Sequence, residues 1–142
     1  MAGFLTHYLF GMESCDMLSD NYIHEVIKKN NHAFLLGLQG NNLLSFNPHT
    51  LSKRGLSYRT ASLTLRNQEY AAFFNNMLDT LSGMADQERD VCIAYMVGYL
   101  CFFAIDQSAS PYILFRVWQD LPTKCSSSRM TCHRRKVETT ID

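Results

Sequence analysis

The sequence lacks an excess of either charge, a C-x-x-C pair and a basic leader, and has little strand-like alternation. Each absence closes off a class of protein. Lys plus Arg and Asp plus Glu both number 13, so no long-range field draws in nucleic acid. The cations Lys124, Arg129, Arg134, Arg135 and Lys136 cluster near the end and read as a solvated tail. Five cysteines (Cys15, Cys92, Cys101, Cys125 and Cys132) are an odd number without metal-type spacing. They predict a reduced, cytoplasmic protein. Met1 to Gly11 has neither a basic start nor a long apolar run, so no signal peptide is expected. The uncharged run from Val91 to Ile105, bracketed by Asp90 and Asp106, falls short of the roughly 20 apolar residues of a membrane span. A buried helix is expected there, and no transmembrane segment. Internal repeats are absent, as are a P-loop, G-x-G-x-x-G, G-x-S-x-G and H-E-x-x-H.

What remains is helical periodicity in a chain of 142 residues, enough for one core. Ser19 or Asp20 can cap a helix running to about Lys29, with Ile23, Val26 and Ile27 as its apolar stripe. His32 to Leu38 is a second, short apolar stretch, with Gly40 as its C-terminal glycine. Asn41 to Tyr58 reads as a loop. Gln68 to Leu81 carries Tyr70, Phe73, Phe74, Met77, Leu78 and Leu81 at helical spacing and stops at Gly83. Asp86 caps the next helix, predicted to run to about Asp106. Pro111 then opens a short helix through Trp118, with Ser110 as its cap, and Pro122 closes it. The expected fold is an all-α, single-domain helical bundle. Residues 1–121 form its body, and 122–142 form a basic tail, an incomplete C-terminal part of the same domain.

Four passages in order resemble the zinc-dependent phospholipase C family. They are Thr6 to Gly11 (THYLFG), Phe34 to Asn42 (FLLGLQGNN), Gly98 to Asp106 (GYLCFFAID) with Pro111-Tyr112-Ile113, and His133 to Glu138 with Ile141-Asp142. The resemblance covers nearly the whole chain. It implies an all-helical bundle that holds zinc between helices and hydrolyses phosphodiesters of phospholipids. The family pattern has an early His, an Asp after a turn, and a His in the following loop or helix. It continues with His-x-x-x-Asp on the central helix, a His before a Pro, and a late His-x-x-x-Glu. Zinc binds imidazole nitrogen and carboxylate oxygen at about 2.0–2.2 Å and keeps one position open for water. It lowers the pKa of that water to ~7 and polarises the phosphoryl oxygen.

Carried over residue by residue, the resemblance makes His7, Asp106, His133 and Glu138 the candidate metal ligands. Asn42 stands where the pattern has Asp, Phe102 where the central helix has His, and Ser110 where a His precedes Pro111. No histidine lies between His49 and His133, and His49 itself reads as a loop residue. His133 and Glu138 are five apart where the family has four, so their side chains diverge on a helix. The expected function is a phospholipase C-like domain with impaired or absent hydrolysis. An active single-metal hydrolase and a non-catalytic helical interaction module are the alternatives. Zinc is the implied cofactor, at less than full complement, and a phospholipid or other phosphodiester is the implied ligand.

Overall fold

The computed structural model describes residues 3–41, 70–120 and 126–142. Those residues are all-helical, with six helices: α1 Phe4–Asp16, α2 Asn21–Lys29, α3 Asn31–Gly37, α4 Tyr70–Leu81, α5 Asp86–Asp120 and α6 Ser127–Ile141. The predicted loop at 41–58 lies outside the described residues apart from Asn41, as do His49, Asn42 and Pro122. Residues 127–141 of the expected basic tail form α6.

The α1 helix buries His7, Gly11 and Cys15. Their four-residue spacing sets one stripe against the core. Asp20 starts α2, its carboxylate accepting from the amides of Tyr22 and Ile23 at 2.8 and 3.2 Å. Lys28 and Lys29 sit in the last turn, where cations complement the helix dipole. Val26 and Ile27, the inner face of α2, are buried with Phe34 and Leu38 of the α3 segment. The Tyr22 hydroxyl donates to Asp90 at 2.9 Å and ties α2 to the start of α5.

The most extensive packing is between α3 and α5. It is set by glycine on both helices. A Cβ on Gly98 would lie 2.2 Å from the Phe34 carbonyl oxygen, and one on Gly37 would lie 2.2 Å from that of Tyr95. The backbones therefore touch directly, as small residues at a helix crossing permit. Gly40 follows α3 at φ +49°, a left-handed conformation that glycine adopts without strain. There it turns the chain past the ring of Phe102.

The sequence predicts a break between Asp106 and Pro111; instead, α5 runs unbroken from Asp86 to Asp120 with Pro111 inside it. Proline removes one backbone donor, which would otherwise bond the carbonyl of Gln107, at a cost of about 3 kcal/mol. Gln107 is exposed, so water can satisfy that carbonyl. Beyond the proline, Ile113 and Val117 are fully buried, at about 1.5–3 kcal/mol each, which outweighs the lost bond. Ser110 is thus an internal helical residue and caps nothing. By length and composition α5 could also cross a membrane; little more than a quarter of its most apolar stretch is buried.

Candidate functional site

Phe102, Asp106 and Ser110 follow one another at four-residue intervals on α5 and so share a stripe. The face of α1 carrying His7 meets this stripe at Phe102. The two rings stack with centroids 4.9 Å apart and planes at 21°. Phe102 is 4% exposed and His7 1%, so solvent reaches neither ring. Behind Phe102 an aromatic cluster extends to Tyr99 at 5.7 Å, then to Phe73 at 5.2 Å and Phe74 at 6.0 Å from Tyr99. The Tyr99 hydroxyl donates to the side-chain oxygen of Asn41 in a buried hydrogen bond.

The tautomer of His7 follows from its partner. Nδ1 lies 2.7 Å from the carbonyl oxygen of Gly3, which can only accept, so Nδ1 carries the proton. Nε2 holds the lone pair, is buried, and has no hydrogen-bond partner among the described residues. Burial pushes the imidazole below its ordinary value, against the Gly3 bond and the negative charge of Asp106, which both favour the cation. His7 is therefore a neutral ring near a carboxylate.

The four candidate ligands are not gathered at one point. His7 and Asp106 come close enough for the carboxylate to act on the ring. His133 Nε2 instead lies 3.2 Å from Asp120 Oδ2. Glu138 Oε1 accepts from Arg134 Nε at 2.9 Å. Arg134 is the residue four before Glu138, so where the resembled family pairs His with Glu on one helix face, this chain pairs a cation. Among the described residues no three His, Cys, Asp or Glu side chains are placed to hold a metal ion. Burial pushes the Cys15 and Cys101 thiols above their ordinary value. The lone pair of His7 and the carboxylate of Asp106 suit zinc; Phe102 and the guanidinium of Arg134 do not. Overall the donor set does not fit the implied metal cluster.

Sequence reasoning missed Arg134, although R-x-x-x-E is a readable i, i+4 pair. It also missed the buried Asn41–Tyr99 bond, which joins residues distant in sequence and leaves no local signal. Neither a family model, a curated protein nor a solved structure matches this chain.

Proposed function

We propose that this chain is a zinc-dependent phospholipase C-like helical domain that does not carry out metal-dependent phosphodiester hydrolysis. The observation that supports this most directly is the Phe102 ring stacked on His7. A carbon surface covers the imidazole where the resemblance calls for a second ligand. Hydrolysis of a phosphodiester by zinc needs an open coordination position for water and several fixed donors. His7 and Asp106 supply two donors. His133 and Glu138 are engaged by Asp120 and Arg134. With its thiols reduced, the domain would work in the cytoplasm, with α5 as its core helix.

Metal content and turnover test the reading together. Protein purified without chelator should hold well under one zinc ion per chain, and a chromogenic phosphodiester should turn over no faster with the protein than without it. Two or more zinc ions per chain, with chelator-sensitive turnover abolished by D106A, would overturn it in favour of an active hydrolase.

A further inference from the structure

We infer that the junction of α4 and α5 is a soft-metal site, in which Met77, Met84, Cys92 and Met96 bind a monovalent copper ion. These four sulfur side chains line a single cavity of about 140 Å³. The topology brings them there. Phe73 and Phe74 lay the first half of α4 on Tyr99 of α5. From that contact α4 runs back towards the start of α5, so Met77 reaches the cavity together with Met96 and Cys92. Cys92 and Met96 are one turn apart on α5 and share a face. Met84 enters from the connecting turn, where its amide donates to the Leu81 carbonyl oxygen at 3.3 Å. Met96 is buried; Met77, Met84 and Cys92 are half-buried, and Cys92 is a free thiol.

The donor chemistry selects the ion. Among the described residues the lining holds no carboxylate, imidazole or amine. Hard cations take oxygen ligands, and zinc takes thiolate, imidazole or carboxylate, so three thioethers suit neither. Thiolate and thioether sulfur are soft and select copper(I). Charge points the same way. One thiolate, three neutral thioethers and a monovalent ion sum to zero, which an apolar pocket tolerates. A divalent ion would leave a net positive charge there.

Binding is an exchange of ions without redox change. The Cys92 thiol gives its proton to water, and the lone pair left on sulfur bonds the metal, which stays copper(I). A methionine side chain has three rotatable bonds, so the thioethers can close on the ion from the cavity walls. Thr80, also in the lining, is exposed, which leaves the ion a path from solvent. The site shares no residue with the contact of His7 and Phe102, and it stands whether or not the domain hydrolyses anything.

The test uses the full chain without oxygen, with ascorbate to keep the copper reduced and the chromogenic chelator bicinchoninate as competitor. C125S and C132S are built into the parent and every variant, because Cys132 is exposed and Cys125 lies outside the described residues. Neither thiol then captures copper by itself. The parent should take a single copper(I) ion per chain from the chelator and release a proton as it does. C92S should weaken binding, as should M77L, M84L and M96L, which conserve volume and keep the fold. Each should cost about tenfold or more, since even outer-shell changes at metal sites cost about 10–100-fold. Circular dichroism without copper checks that each variant is folded. X-ray absorption at the copper edge should show sulfur ligands only. A parent that takes no copper from the chelator would overturn the site, as would C92S binding as tightly as the parent. Binding that all three leucine variants leave unchanged would overturn it too, because Cys92 alone would then hold the ion. Nitrogen or oxygen in the copper shell would place the ion elsewhere.

Discussion

His7 and Phe102 stack face to face, 4.9 Å between centroids, and this contact decides what the centre of the molecule is. A nitrogen ring on a carbon ring is core packing with a polar edge. Removing the carbon ring should therefore behave as a core deletion. F102A is expected to cost about 3–5 kcal/mol in urea unfolding, whereas the volume-conserving F102L should cost under about 1.5 kcal/mol. A loss below about 1 kcal/mol for F102A would mean that Phe102 is not packed as described.

The pH dependence of stability follows from the same ring. The folded state holds His7 below its ordinary value of 6.5, chiefly by burial. The unfolded chain therefore binds the proton more readily. The contribution of the neutral ring is complete above 6.5 and is lost as pH falls from there through the folded-state value. Unfolding free energy should accordingly drop as pH falls below 6.5, the ordinary value of the unfolded chain, and H7F should flatten that drop. A parent and an H7F variant with the same slope would contradict the assignment.

The helices were legible where caps and stripes are local. Asp20 as the α2 cap and the Val26–Ile27 face follow directly from nearest-neighbour rules. The continuity of α5 through Pro111 was not legible, because the burial that compensates the proline (Ile113 and Val117) depends on partners elsewhere in the chain. The candidate site was read only through the resemblance. Phe102 and Ser110 stand out from the family pattern by residue type alone. The i, i+4 pair of Arg134 and Glu138 was readable from spacing, whereas Asp142 reaching Thr6 joins residues distant in sequence and left no local signal.

The glycine crossing of α3 and α5 gives a sharp contrast between two alanine substitutions. At Gly98 the new methyl group would meet the backbone carbonyl of Phe34 at 2.2 Å, and backbone cannot swing aside. G98A should cost about 3 kcal/mol or more by forcing the helices apart. Gly83, after α4, has no described residue within 4 Å of where a Cβ would lie. G83A should be neutral or stabilising, by up to about 1 kcal/mol, through the lower entropy of the unfolded chain. Thermal or urea midpoints of the two variants measure the difference. Equal effects would mean that the helices do not cross at Gly98.

Restoring donors tests the position assignments as a set. Phe102, Asp106 and Ser110 already share a stripe on α5, and Arg134 already shares a face with Glu138. N42D, F102H, S110H and R134H combined would replace an amide, a ring, a hydroxyl and a cation by metal donors, Asn42 lying outside the described residues. The combined variant should take up about one zinc ion or more per chain in equilibrium dialysis, releasing protons as the imidazoles bind. Binding should also raise its thermal midpoint in a zinc-dependent way. R134H carries particular weight, because it restores the His-x-x-x-Glu spacing of the resembled pattern and removes the guanidinium that neutralises Glu138. The set without R134H should therefore bind more weakly than the full set. A folded combined variant with no more zinc than the parent would show that these positions do not face a common point, and the likeness to the phospholipase C pattern would then be one of sequence alone.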